Sequence, residues 1–472
     1  MDITRDASIF VIIFIVFSAY FKYKSKILFE LFKNNVSAKN TTKKKKIGLL
    51  TNELPPIIYG GVSTWVLNFI DMFKDDDEYE TIPIFLAYLD KAPENFHDVY
   101  PGIRIINKEE DIYHAFKDID LCVNNLWIAL DTIKKIKEEF PQMPIVSVCH
   151  SLIKMEHLTN LGSQYTNNFS QQEVTFQNSD FVVLISKAEK EYYEEFGYGD
   201  FEAKPVVIYN MYTPKYDDQL VFNNYDVDHL GYIGRHVPRK RPELAIETIR
   251  QMALDNVKVF NMGVDFNKGG NVYWKKLQEK YKDQLEIIEF TCDKKVKQYY
   301  YDNIGANVCS GIYEPFGYTV CECLDRRIPL IVSNIDGPKE ITEKVKEFVY
   351  QYEVDKTDMD NDITNLSETL ESFYKTSPEK RKENAEKARK TLDDYRPQKI
   401  KKEWMKLFNC CSNIGVKDIA KKNIDKEFDE DKGKFEENNE ENNEENNEEN
   451  NEENNEEKEN IFEPRNFKIK SE

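Results

Sequence analysis

Short apolar runs alternate with amphipathic stretches over most of the chain. Apolar runs of strand length lie at Ile47–Thr51, Ile82–Ala87, Ile103–Ile106, Leu121–Asn124, Ile145–Cys149, Phe181–Ile185 and Val206–Tyr209. A second series lies at Leu230–Ile233, Val257–Asn261, Leu285–Glu289, Ala306–Cys309, Leu330–Val332 and Phe348–Tyr350. Between them, Val62–Phe73, Asp131–Phe140, Pro242–Ala253, Tyr273–Tyr281, Lys294–Asp302 and Val320–Arg326 carry helical spacing, and Ser377–Leu392 and Gln398–Phe408 read as helices closing the fold. Continuous apolar runs separated by amphipathic helices predict parallel sheets covered on both faces. The fold class is therefore α/β.

The polar stretch 213–228 has no clear period and divides the two series. The predicted organisation is an N-terminal hydrophobic segment over 1–33, a linker over 34–46, a Rossmann-like domain over 47–212, a linker over 213–228, a second Rossmann-like domain over 229–412 and an acidic tail over 413–472. Two such domains in one chain enclose a cleft between their strand ends. The tail repeats Glu-Glu-Asn-Asn without apolar residues from Glu436 to Glu457, so it cannot bury a core and is expected to be disordered.

Composition changes the picture in two places. The net charge is −20, but residues 425–457 hold 17 Asp and Glu against three Lys, which leaves the body near −6. A nearly balanced body argues against wrapping nucleic acid. The eight Cys form no C-x-x-C pair and no zinc spacing, and several lie in apolar runs, as expected of reduced, buried thiols.

Candidate chemistry concentrates in two segments. In Cys309–Glu340, a strand is followed by a loop with Glu314, Pro315, Phe316 and Gly317, and then by a helix carrying Glu322. Amides at that helix start suit a diphosphate. Glu314 and Glu322 can project into one crevice and accept vicinal hydroxyls of ribose and hexose. In Leu230–Pro242, Arg235 and Lys240 lie in the loop after a strand, where they can offset the charge of a departing diphosphate. Two weaker signals belong to the first domain. Gly60 and Gly61 precede a helix and allow close approach to a phosphate, and His150 ends the strand at Cys149. Asp75-Asp76-Asp77 and Asp118-Ile119-Asp120 read as solvated surface and not as a metal site.

These residues resemble glycosyltransferase family 4, the retaining GT-B enzymes that include sucrose, glycogen and lipid-glycan glycosyltransferases. The family's E-x7-E element is matched by Glu314 through Glu322, its G-R-x4-K loop by Gly234, Arg235 and Lys240, its glycine pair by Gly60 and Gly61, and its strand-end His by His150. Pro338 and Glu340 look like its p-E-i element. The chain departs from the family at Cys309, at Cys323-Leu324-Asp325-Arg326-Arg327 and at Asn210-Met211-Tyr212. The resemblance implies a GT-B fold and a nucleotide diphosphate-sugar as substrate, with no cofactor and no metal. Arg235, Lys240, Glu314 and His150 would act at the reacting sugar and leaving group. Gly60, Gly61, Phe316, Gly317 and Glu322 would hold the donor. The acceptor would be a glycan, lipid or protein. The alternatives are another enzyme on this architecture, such as a sugar-nucleotide epimerase, or an inactive binding protein.

Ala7–Phe21 is uncharged and strongly apolar, and Lys22, Lys24, Lys26, Lys33, Lys39 and Lys43 to Lys46 follow it. This pattern predicts a single-pass N-terminal anchor with the catalytic body on the cytosolic side. Asn35, Asn40, Asn168 and Asn365 sit in N-x-S/T patterns. None of them should carry glycan after expression in a eukaryotic cell. A mobility shift removed by an N-glycan-cleaving enzyme would place the body in the lumen instead.

Overall fold

The computed structural model describes residues 43–412, apart from 59, 88–90, 127–129, 160–168, 218, 265–271 and 290–293. The apolar run Ala7–Phe21 and the acidic repeat lie outside the described residues. Among the described residues no helix is long and apolar enough to cross a membrane.

Two parallel sheets form the frame. The first contains β1 (Lys45–Thr51), β2 (Tyr79–Leu86), β3 (Arg104–Ile106), β4 (Leu121–Asn124), β5 (Ile145–Cys149), β6 (Phe181–Leu184) and β7 (Lys204–Val207), in the order β3-β2-β1-β4-β5-β6-β7. The second contains β8 (Leu230–Arg235), β9 (Val259–Val264), β10 (Leu285–Glu289), β11 (Ala306–Cys309), β12 (Leu330–Ser333) and β13 (Tyr350–Tyr352), in the order β10-β9-β8-β11-β12-β13. All these pairings are parallel. The apolar runs end up as strands because parallel strands covered by helices on both faces leave no water-facing side. Ile47, Leu49 and Leu50 of β1 are fully buried. In each sheet the order reverses beside the first strand, β1 or β8, so the loops leaving β1, β4, β8 and β11 splay apart there.

Eight helices matter to the argument. They are α1 (Gly61–Phe73), α2 (Ile153–Thr159), α3 (Lys187–Glu195), α4 (Leu244–Gln251), α5 (Tyr318–Arg326), α6 (Asp336–Thr342), α7 (Met359–Lys375) and α8 (Pro397–Ser412). Most predicted elements appear within a few residues of their expected bounds. Two of the exceptions, α3 and α6, lie where the lobes touch and are poorly marked by apolar spacing. α3 is rich in Lys and Glu, and α6 contains Pro338. The longest omission is α7, which packs on α4 in the core of the second lobe through Ile363, Leu366, Leu370 and Phe373. Asp358 caps it, accepting from the N–H groups of Asp360 at 3.0 Å and Asn361 at 3.2 Å.

One expectation is corrected. The helix expected to close the second domain, α8, packs on the first lobe. Trp404 lies 6.0 Å from Trp65 and 5.1 Å from Phe69, and Phe408 lies 5.7 Å from Phe73 and 5.2 Å from Tyr79, centroid to centroid. A helix with a wide apolar stripe goes wherever a matching face is left uncovered, and α1 with the start of β2 supplies that face. The Asp clusters lie at the surface as expected, with Asp75, Asp77 and Asp120 exposed, and two of their half-buried members also brace the fold. Asp118 pairs with Arg104 and Lys46, both at 2.6 Å. Asp76 accepts from the N–H groups of Glu78 and Tyr79 and pairs with Lys401 at 2.7 Å.

The stretch 213–228 has no regular element, as its composition implies, but it is bolted to the second lobe. Buried Asp325 accepts the Lys215 N–H at 2.7 Å. Arg327 donates to the carbonyls of Tyr216, Asp217 and Gln219 at 2.8–3.0 Å. The side chains that depart from the family pattern after Glu322 are therefore those that hold this segment.

Trp404 is 1% exposed and bridges α1 to α8. Trp404→Ala should cost about 3–5 kcal/mol, as for other large aromatic truncations in a core. Urea unfolding of the variant would show it as a lowered midpoint.

Candidate functional site

The carboxyl ends of the two sheets face each other, and the loops leaving β1, β5, β8 and β11 carry the predicted groups. α1 begins at Gly61, directly after an extended Gly60. A Cβ at Gly60 would lie 3.0 Å from Arg235 Nη2, and one at Gly61 would lie 3.0 Å from the Tyr318 ring. The glycine pair thus admits two side chains of the opposite lobe, with Arg235 laid against the start of α1.

Arg235 ends β8, and the short helical turn Pro238–Lys240 follows it. That turn aims alternate side chains at different partners. Lys240 contacts the Glu314 carboxylate. Arg239 enters the lobe interface, where it donates to the Tyr313 carbonyl at 3.1 Å and pairs with Glu156 of α2 at 3.1 Å. Burial, then the neighbouring Arg239 and Arg235 guanidiniums, push the Lys240 ammonium well below its ordinary range, and Glu156 opposes them. Lys240 thus stands against Glu314 and within electrostatic reach of Arg235.

The Glu314 loop is held from α6. Asp336 Oδ2 accepts the Glu314 N–H, and the Gly337 N–H donates to the Glu314 carbonyl, both at 3.1 Å. A Cβ at Gly337 would sit 2.3 Å from the Phe316 carbonyl oxygen, so only glycine lets α6 approach this closely. Gly317 has φ 103°, the left-handed region, and turns the loop into α5. The Phe316 ring is buried against Tyr318 and Tyr395. Any contact it makes to a ligand falls to its backbone.

Glu322 lies in α5, apart from the Lys240–Glu314 pair. It keeps solvent contact although surrounding groups crowd it. Crowding raises its carboxyl above the usual range, and Lys297, Lys215 and Arg326 oppose that rise. His150 follows β5, edge-on to Trp65 at 5.2 Å, and contacts Asn125. Burial pushes its imidazole down to about 3, so the ring is neutral at physiological pH. Glu340 sits outside this group. It accepts from the N–H groups of Lys187 and Ala188 at 3.0 and 2.8 Å and from the Tyr209 hydroxyl at 2.5 Å, capping α3 of the other lobe.

Three carboxyl groups of the interface escaped the sequence reading. Glu156 pairs with Arg239 and accepts from Ser151 Oγ at 2.8 Å. Glu189 accepts from the Leu152 N–H and from the Tyr313 hydroxyl, both at 2.7 Å. Glu53 lies at the start of α1, bonded to the backbone of Ser63 and Gly60 and attracted by Arg235. A Glu two residues past a strand carries no local mark of burial. The nearby glycine pair is the one available clue, because it brings a helix start and a cation to the same spot.

Burial raises Glu53 to about 7 and Glu189 to about 8. A carboxyl held up in the folded state is protonated there while the unfolded chain ionises near its ordinary value. Its contribution is present below about pH 4.5 and is lost as pH rises through the folded value. The unfolding temperature should therefore fall from about pH 5 to about pH 8.5. Glu53→Gln and Glu189→Gln should each flatten that slope, read by thermal denaturation across the pH series.

No curated protein matches the chain in sequence. Solved structures share its fold. HepE from Anabaena, determined with UDP and glucose, is 17% identical with a TM-score of 0.57, covering 77% of this chain and 99% of its own. Sucrose-phosphate synthase from Thermosynechococcus elongatus is 16% identical with a TM-score of 0.61, covering 78% and 98%. A mutant of TarM from S. aureus, determined with fondaparinux, alpha-GlcNAc-glycerol and UDP, is 13% identical with a TM-score of 0.58, covering 77% and 100%. Residues 221–391, which carry Arg235, Lys240, Glu314 and Glu322, match the family described as Glycosyl transferases group 1, within the two-lobed GT-B fold that these structures share with this chain.

Proposed function

We propose that the protein is a retaining, metal-independent glycosyltransferase that moves a hexosyl sugar from a nucleotide diphosphate-sugar to a glycan, lipid or protein acceptor. The observation that carries this reading is the convergence of Arg235, at the end of β8, and Lys240, from the turn after it, with Glu314 from the loop after β11, opposite the Gly60–Gly61 start of α1. The match over 221–391 and the UDP of HepE and TarM point the same way.

In this reading the diphosphate lies between the start of α1 and the Phe316-Gly317 backbone, flanked by Arg235 and Lys240. Charge grows on the departing diphosphate as the glycosidic bond breaks. The Arg235 guanidinium, and a Lys240 ammonium whose charged form the diphosphate itself would favour, would stabilise that state over the ground state. Glu314 would exchange its contact with Lys240 for donor-sugar hydroxyls. Glu322 would accept the two ribose hydroxyls, with Lys297, Lys215 and Arg326 favouring its ionised form. His150 would face the transferred sugar. Attachment to a membrane through Ala7–Phe21 belongs to the same proposal.

Glu322→Ala and Arg235→Ala should each lower transfer at least about tenfold, since a hydrogen bond to a charged group is worth roughly 1.5–3 kcal/mol. Both should keep the wild-type unfolding transition. The product should retain the donor's anomeric configuration by NMR, and turnover should persist in EDTA. An inverted product would remove the retaining assignment. Wild-type turnover in both variants would remove the site.

A further inference from the structure

Asn125 and His150 form a polar pair at the carboxyl edge of the first sheet that the diphosphate site does not use. Asn125 follows β4, and its N–H donates to the Leu50 carbonyl at 2.9 Å. The preceding Asn124 fixes the turn, donating from Nδ2 to the Leu126 carbonyl at 3.0 Å and to Ser147 Oγ at 2.9 Å, and accepting the Leu126 N–H at 3.0 Å. Asn125 is 3% exposed, so its side chain has one place to go. Its Oδ1 meets His150 Nε2 across the β4–β5 pairing. Trp65 holds the imidazole edge-on at an interplanar angle of 75°.

The chemistry of this pair is restrictive. A carboxamide oxygen only accepts, so with Oδ1 turned towards the ring His150 Nε2 carries the proton. Asn125 and Trp65, which hold the ring, are both uncharged, and a desolvated ring in neutral surroundings takes one proton and not two. Nδ1 is then a bare acceptor. Asn125 Nδ2 is buried without a partner, a donor that costs stability unless something else bonds to it.

We propose that Asn125 is a positioning residue that fixes the His150 tautomer, so that Nδ1 accepts from one hydroxyl of the transferred sugar. The proposal rests on the reading above that His150 faces the transferred sugar. It adds the residue that decides whether the ring accepts from that hydroxyl or donates to it.

The test uses the full chain with ¹⁵N-labelled histidine and long-range ¹H–¹⁵N correlation, with His150→Gln identifying the signal. The wild type should show the Nε2–H tautomer, unchanged from about pH 5 to about pH 8. Asn125→Leu should release the tautomer preference. Asn125→Asp should set a carboxylate beside the ring and give a doubly protonated imidazole near neutrality, with a new ionisation in the pH profile of kcat/KM. Nucleotide diphosphate release is measured with UDP-glucose, GDP-mannose and ADP-glucose. With whichever donor turns over, Asn125→Leu should lower kcat/KM about tenfold or more, mostly in kcat, at an unchanged unfolding temperature. An Nδ1–H tautomer in the wild type, or an unchanged ring signal in Asn125→Leu, overturns the proposal. A released tautomer with wild-type kcat/KM overturns its functional half. If no donor turns over, the transferase reading fails, and the spectra still decide the tautomer.

Discussion

The contact between the lobes depends on carboxyl groups that have given up water. Glu189 reaches from α3 to the Leu152 N–H of its own lobe and to the Tyr313 hydroxyl of the other. Beside it, Glu156 meets Arg239, and Asp336 accepts from the Tyr192 hydroxyl at 2.8 Å. Burying a carboxyl group, ionised or protonated, costs free energy unless its oxygens are bonded, and these are bonded across the interface. Separating the lobes would strip each of them of a partner. The arrangement therefore fixes how Tyr313, and the adjacent Glu314, stand relative to the first lobe.

The same constraint links the interface to the site. Arg239 lies one residue from Lys240 in one short turn, so the residue that joins the lobes also orients the one that meets Glu314. Asp336 has φ 41°, a conformation that costs a non-glycine residue free energy, and it is held there by the Glu314 N–H, Tyr192 and nearby Lys356. Backbone strain kept by several independent bonds is usual where a loop must be placed to a fraction of an ångström.

The frame was largely legible in the sequence because parallel strands buried on both faces must be apolar throughout. Ile145–Cys149, buried throughout, falls on its expected bounds for that reason, whereas Leu285–Glu289 does so as an edge strand that carries two glutamates. α7 was legible and went unread: Met359, Ile363, Leu366, Leu370 and Phe373 keep a four-three spacing behind the capping Asp358. The site residues that were found follow strand ends beside Gly or Pro, where backbone geometry leaves a local mark. Glu189 could not be found that way. Ser186-Lys187-Ala188-Glu189 has the spacing of a capping box, and Ser186 does cap the helix, yet the Glu189 carboxyl turns to Leu152 and Tyr313. Partners 37 and 124 residues away are set by tertiary packing, which no local pattern encodes. The same holds for α8, whose apolar stripe announces burial without saying against which lobe.

The return of α8 to the first lobe has a consequence for how the protein is made. Among the described residues the chain enters the first lobe at β1 and comes back to complete it with residues 397–412, after the second lobe. During synthesis the aromatic face of α1 – Trp65, Phe69 and Phe73 – waits uncovered while some three hundred further residues are added. The first lobe, though built earlier, is thus completed last, and its final closure is a contact of very long sequence separation, the slow kind to form.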